Sequence, residues 1–252
     1  DLSYARVALG KVDVVHLHWP DLTFLSGGRR AIHVARLTLF YAALAIARRV
    51  RGTVLVWTAH NVTSHEDRSS RRIRDLAQGL LLRNLDGVLA LTAGGIEAVR
   101  AEYPGLRDVP SAVTRHGHYR DAYDFSTGRD EARTRLGLDG DAPLILTLGQ
   151  VRPYKNVPHL VDVFRRLDVP ARLVVAGAAP AGLADEVRAS AGDDPRITLR
   201  LAFVSDAELP LYLAAADLVV LPYRRVQNSG SAILALSADR PVLVPDLGAM
   251  RE

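Results

Sequence analysis

The chain has 252 residues, of which 48% are apolar, a net charge of +4 and no cysteine. This supports one large or two ordinary globular domains, and it excludes a disordered chain, disulfides and thiolate metal sites. The basic side chains are unevenly placed: residues 1–125 hold 17 basic and 12 acidic groups (+5), whereas residues 126–252 hold 15 and 16 (−1).

Apolar runs and amphipathic stretches alternate from end to end, which predicts an α/β fold of parallel sheets with crossover helices. The opening Leu2–Leu9 reads as a helix tail, followed by strands at Val12–His16, Val54–Thr58 and Gly87–Leu91. Each strand is a near-continuous apolar run, as a strand covered on both faces requires. Helices are predicted at Arg30–Arg49, Arg71–Leu82 and Gly95–Glu102. From Pro104 to Asp141 the alternation lapses into turn-rich pieces around one short helix, Arg129–Leu136. The domain boundary is placed in that stretch, giving domains 1–125 and 126–252.

The alternation then resumes, with strands at Leu144–Leu148, Arg172–Ala176, Ile197–Leu201, Leu218–Leu221 and Val242–Val244. The helices between them fall at Val157–Leu167, Leu183–Ser190, Ala207–Ala215 and Ser231–Ala238. Both ends read as cut, the first opening directly on a helix tail and the last closing just after a strand and turn. The longest apolar run, Leu37–Ala47, includes Thr38 and falls far short of the ~20 residues of a spanning helix. No spanning segment or signal peptide is expected, and the chain is expected to be cytoplasmic. Its basic first half could face anionic lipid, as a peripheral contact at the inner face of a membrane. Nucleic acid is not expected, because no recognised motif is present and few aromatics lie among the arginines. The helix Arg30–Arg49 suits either membrane docking or burial as a crossover helix, and its all-round apolar middle favours burial.

The stretch with most chemical content is Leu144–Pro158. Its strand ends in Gly149, a loop carries Arg152 and Lys155, and a helix starts near Asn156. Free backbone N–H groups, the helix dipole and two cations all favour a bound anion there. Only Lys11 and Lys155 among the 32 basic residues are lysine, which marks Lys155 further. A second anion site reads at Asn228, Ser229, Gly230 and Ser231, where Ser229 can cap a helix and Gly230 lets a ligand approach the backbone. At the ends of two strands of one sheet, these would be two walls of a diphosphate pocket.

Among the histidines, His60 sits just past a strand end and suits a general base or a sugar-orienting role. His18 is preferred to His16 as a site residue, the two being expected on opposite faces of their strand. For His116 and His118, hinge packing and ligand contact both stay open. His65-Glu66 lacks spaced partners, so no metal is expected. Asp217 is expected to orient a strand end.

The pieces Asp13 to Pro20, Trp57 to Asn61, His116 to Tyr119, Gly149 to Asn156, Ala176-Gly177, Asp217 to Tyr223 and Asn228 to Pro245 follow one another in an order that resembles the GT-B glycosyltransferase superfamily. They are most similar to its family-four-like bacterial enzymes that build exopolysaccharides and glycolipids. The resemblance implies two Rossmann-like doubly wound domains facing a cleft, both truncated here. It implies hexosyl transfer from a nucleotide-diphosphate sugar, held by the second half, to a glycan or lipid-linked acceptor held by the first. It implies no metal and no cofactor beyond the donor. In its terms Lys155 and Arg152 neutralise the departing diphosphate, Gly177 and the Phe203-Val204 backbone lie near the nucleotide base, and His60 faces the transferred sugar. Two positions depart from the family pattern. Gln150 stands where an arginine usually follows the glycine, and Val226 and Leu234 stand where two glutamates are usual. A non-catalytic nucleotide-sugar or glycan-binding partner that lost those glutamates is therefore the alternative.

Overall fold

The computed structural model of the protein describes residues 3–25, 30–61, 71–138 and 140–252. His65 and Glu66, weighed above for metal, lie outside them. The chain divides into two compact units, Asp1–Arg115 and His116–Arg251. This division comes ahead of the 125/126 boundary read from sequence. Residues just after Arg115 go with the second unit because the Tyr119 N–H donates to Ser237 Oγ (2.9 Å) and Arg120 pairs with Asp239. A turn-rich stretch without periodicity advertises neither tie.

The first unit runs α1 (Tyr4–Leu9), β1 (Val14–Leu17), α2 (Pro20–Leu25), α3 (Arg30–Arg51), β2 (Val54–Ala59), α4 (Arg71–Asn84), β3 (Gly87–Ala90), α5 (Ala93–Glu102) and β4 (Ser111–Val113). Its strands pair in parallel in the order β1-β2-β3-β4, with Val14 opposite Val54, Val56 opposite Gly87 and Val88 opposite Ser111. Leu17, Leu55, Val88 and Ala90 of the sheet are buried with Leu37, Phe40, Leu44 and Ala47 of α3 in one core. Strand register is fastened at Asp86, whose carboxylate accepts the Leu55 N–H (2.7 Å) and pairs with Arg48.

Helix α3 differs from the buried crossover helix expected. One face is in the core, but Leu39 is 55%, Ile46 49% and Val50 68% exposed, so the apolar middle serves two faces and only one is covered by the described residues. Its window Ala31–Arg51, at mean hydropathy 1.3, is also long and apolar enough to cross a membrane by length and composition alone, which the interrupted run Leu37–Ala47 had not suggested.

The second unit runs α6 (Arg129–Leu136), β5 (Leu144–Leu148), α7 (Val157–Arg166), β6 (Arg172–Ala176), α8 (Ala181–Ala191), β7 (Ile197–Arg200), α9 (Leu209–Ala215), β8 (Leu218–Val220), α10 (Gly230–Ser237) and β9 (Val242–Leu243). All pair in parallel in the order β7-β6-β5-β8-β9. Helices cover both faces. Leu146, Val174, Leu213 and Ala235 form one buried layer, and Val161, Phe164, Leu173 and Val187 form the other. Double coverage explains why β5 and β6 read as unbroken apolar runs.

The chain leaves β5 in one direction through β6 and β7, then returns to build β8 and β9 on the other side. The β5/β8 seam is thus a topological switch point, the place where open parallel sheets bind ligands beyond their carboxyl ends. At the opposite end of the sheet, Asp217 accepts hydrogen bonds from Leu144 N (2.7 Å), Arg133 (2.9 Å) and Arg129 (3.2 Å). Asp217 thus orients strand starts, away from the switch-point loops.

Candidate functional site

The loops after β5 and β8 hold the two predicted anion-binding stretches, on either side of the switch point. Gly149 ends β5 at φ +104°, a conformation that glycine tolerates and other residues rarely adopt. A Cβ on Gly149 would sit 3.1 Å from Lys155 Nζ and 3.5 Å from Ser231 Oγ, so the lysine and serine from the two loops converge on this one glycine. Behind it, a Cβ on Gly177 would come 2.1 Å from the Gly149 carbonyl oxygen, so the loops after β5 and β6 touch backbone to backbone.

Lys155 is carried on a tight turn, Pro153–Lys155, before α7. Burial, aided by the Arg152 charge, lowers its pKa to about 8. Among the described residues no carboxylate pairs with it. A desolvated cation beside a second cation is the electrostatic complement of an anion. Arg152 itself donates to Gln150 Oε1 (3.0 Å), so Gln150 engages the guanidinium two residues on.

Across the seam, Ser229 caps α10 by accepting the Ala232 N–H (3.1 Å), and its hydroxyl is 2.8 Å from Tyr223 OH. Burial raises the Tyr223 pKa, so the phenol stays protonated. The Arg224 N–H donates to Tyr154 O (2.8 Å), tying the β8 loop to the lysine turn. Gly230 opens α10, and a Cβ there would lie 3.2 Å from Tyr119 OH. The sequence did not mark Tyr119 as a site residue, because nothing in a turn-rich segment so far from Gly230 along the chain signals the contact. Asn228 flanks the cap. Val204, beyond β7, packs against the core of the unit rather than joining Gly149, Lys155 and Ser231. Val226 and Leu234 pack against the same core, as apolar side chains must, and offer no acceptor.

In the first unit, β1 and β2 bring three imidazoles together. His18 Nδ1 lies 2.9 Å from His60 Nε2. The His16 and His18 rings are 4.3 Å apart, which corrects the expectation of opposite faces: residues two apart on a strand share a face. His16 Nε2 meets Thr58 Oγ1 at 2.7 Å, and burial followed by the His18 charge keeps its pKa low. Trp19, half exposed, stacks on His60 at 4.7 Å and 14°. His116 belongs to the second unit and directs Nδ1 to the Gly117 carbonyl (2.7 Å), while His118 is exposed. No group of three or more His, Cys, Asp or Glu able to hold a metal occurs among the described residues.

Residues 142–252 match the family described as Glycosyl transferases group 1. The chain is 35% identical over 246 residues to a GDP-mannose:glycolipid 4-beta-D-mannosyltransferase of Xanthomonas campestris pv. campestris, a match covering 96% of this chain and 64% of that protein. It is 27% identical over 259 residues to a D-inositol 3-phosphate glycosyltransferase of Streptomyces bingchenggensis, covering 96% of this chain and 53% of the relative. Among solved structures, Anabaena Alr3699/HepE in complex with UDP and glucose superposes with a TM-score of 0.71 at 19% identity, over 95% of this chain and 60% of that one. WaaG, a glycosyltransferase involved in lipopolysaccharide biosynthesis, superposes at 0.65 and 17% identity, over 88% of this chain and 67% of that one. The architecture is the GT-B fold, and this chain spans only part of it.

Proposed function

We propose, from the match of residues 142–252 to the family described as Glycosyl transferases group 1, that this chain is the larger part of an enzyme that moves a hexose from a nucleotide-diphosphate sugar to a glycolipid acceptor. GDP-mannose is the inferred donor, on the strength of the 35% identical mannosyltransferase. The observation that carries the reading is the convergence of Lys155 Nζ and Ser231 Oγ on Gly149 at the switch point.

The chemistry follows from charge. As the sugar leaves, negative charge grows on the diphosphate, and fixed positive charge in a largely desolvated loop favours that state over the intact donor. Lys155 and Arg152 supply the cations, and the α10 N-terminus capped by Ser229 supplies oriented N–H groups. These groups stand in for the charge that a divalent metal would bring, so donor binding should persist in excess chelator. Calorimetry of GDP binding to the wild-type chain and to Lys155→Ala tests this. The expected result is a loss of at least tenfold in affinity for the variant (about 1.4 kcal/mol or more), while equal affinity would remove Lys155 from the donor site.

The apolar Val226 and Leu234 favour one other reading, a partner that binds the nucleotide-sugar without turning it over. Release of free GDP from GDP-mannose only when a glycolipid acceptor is present excludes that reading.

A further inference from the structure

The N-terminus of α10, wholly within the second unit, carries an inference that rests on the reading above. Ser229 caps this helix through the Ala232 N–H, and the N–H groups of Gly230 and Ser231, ahead of that bond, have no intrahelical partner. A Cβ on Gly230 would lie 3.2 Å from Tyr119 OH and 3.8 Å from His116 Nε2, so the missing side chain is what lets both groups reach the helix end. The next residue, Ser231, meets Lys155 at Gly149. Backbone donors, a lysine, a tyrosine and a histidine are thus gathered around the first turn of α10.

The histidine is held in place. The Tyr119 N–H donates to Ser237 Oγ (2.9 Å) at the far end of α10, and the Tyr119 side chain runs back along the helix to Gly230. Arg120 pairs with Asp239, just past the helix. The imidazole of His116 lies 5.6 Å from the Tyr119 ring, and its Nδ1 is 2.7 Å from the Gly117 carbonyl oxygen. A carbonyl only accepts, so Nδ1 carries a proton, and in the neutral ring Nε2 is then a bare lone pair. That lone pair offers nothing to a phosphate oxygen, whereas a protonated Nε2 offers a charge-assisted hydrogen bond.

We propose that His116 belongs to the donor site, and that the diphosphate of the nucleotide-sugar draws a proton from solvent onto His116 Nε2, which then donates to a phosphate oxygen. No other bond of the ring changes, because Nδ1–H stays on the Gly117 carbonyl. The titratable neighbour in the same segment is Tyr119, and Arg120 is engaged by Asp239. From the facing loops come Lys155 and Arg152, and α10 adds the positive end of its dipole. Against these positive groups a diphosphate brings two negative charges, and the charged form of an imidazole gains from them. Lys155, at about 8, is already mostly charged at pH 7, so a proton taken up there is not its own.

The test uses the full chain with GDP-mannose and no acceptor, since the diphosphate of the donor has no group that titrates near neutrality. Calorimetry at pH 7 in two buffers of different ionisation enthalpy reads the protons bound with the ligand. The wild type should take up about half a proton or more, and His116→Gln almost none. His118→Gln, at an exposed ring two residues on, should match the wild type. The loss of the charged contact should also weaken GDP-mannose binding to His116→Gln by about threefold or more. Nitrogen-detected NMR of the wild type needs no variant to fold: at pH 7.5 the His116 ring should pass from the Nδ1-protonated tautomer to the imidazolium as GDP-mannose is added. A ring that stays neutral in the saturated complex, or equal proton uptake by the wild type and His116→Gln, overturns the inference and leaves the proposed activity standing. A wild-type chain that does not bind GDP-mannose overturns the proposed activity, and the part of His116 with it.

Discussion

In the role proposed for it, Lys155 would work against stability and for function. Its pKa falls to about 8 from an ordinary 10.5, with burial the larger cause and Arg152 the smaller. The unfolded chain therefore binds more protons than the folded one between those values. Stability of the ligand-free protein should rise with pH across that window, and the destabilisation is complete below pH 8. A bound diphosphate reverses the balance, drawing a proton onto the amine, so GDP affinity should fall as pH climbs through 8. Lys155→Met removes the buried charge. Its ligand-free Tm at pH 7 should rise by about 2–4 °C for each kcal/mol recovered, and GDP should no longer raise it. Thermal melts with and without GDP from pH 6 to 10 measure both, and a lower Tm for Lys155→Met would assign the amine a structural role. At this scale the lysine was legible because composition isolates it. The histidine cluster was half legible: His18 and His60 stand out by position, but their mutual bond depends on the pairing of two strands about forty residues apart, and sequence periodicity does not give pairing.

The elements that matter most are the loops after β5 and β6, which meet at Gly149 and Gly177. At φ +147°, with the Gly149 carbonyl oxygen 2.1 Å from any added Cβ, position 177 has room for neither a side chain nor its backbone strain. Gly177→Ala should cost about 2–3 kcal/mol, read from urea unfolding midpoints. Gly182→Ala is the control. It lies in α8 with nothing within 4 Å of the new Cβ, and the helix should gain about 0.5–1 kcal/mol. Equal effects at both positions would refute the contact.

Strands β5 and β6 were read from sequence to the residue, because burial on both faces leaves an unbroken apolar signature. Helix α2, six residues long, and β4, three exposed residues, were not read at all. Elements that short carry too few residues to set a period. Helix α3 was read in extent but not in environment, since a helix apolar all round gives no clue to which face meets water.

At the scale of the molecule, each unit has its own sheet and its own core, and every ligand-directed feature of the proposed donor site belongs to the second unit. Residues 116–251 produced alone should unfold in one cooperative transition and bind GDP within about tenfold of the intact chain's affinity. A gradual transition, or no binding, would show that the second unit does not suffice by itself. The two-unit organisation was visible in the lapse of alternation, but the boundary was not, because the Tyr119–Ser237 and Arg120–Asp239 ties join residues more than a hundred positions apart.

All pairings in both sheets are parallel, and this governs the order in which the molecule can assemble. Pairing β5 with β6 sets Ile145 beside Leu173, whereas pairing β5 with β8 sets the same Ile145 beside Leu218, across a far longer loop. Closing the longer loop costs more chain entropy and comes later in folding. A nascent sheet of β5, β6 and β7 has most of its core but no switch point, because Ser231 and the α10 cap arrive only with β8. The proposed anion site is therefore created by the last strands to join, and a partly assembled chain lacks one of its two walls.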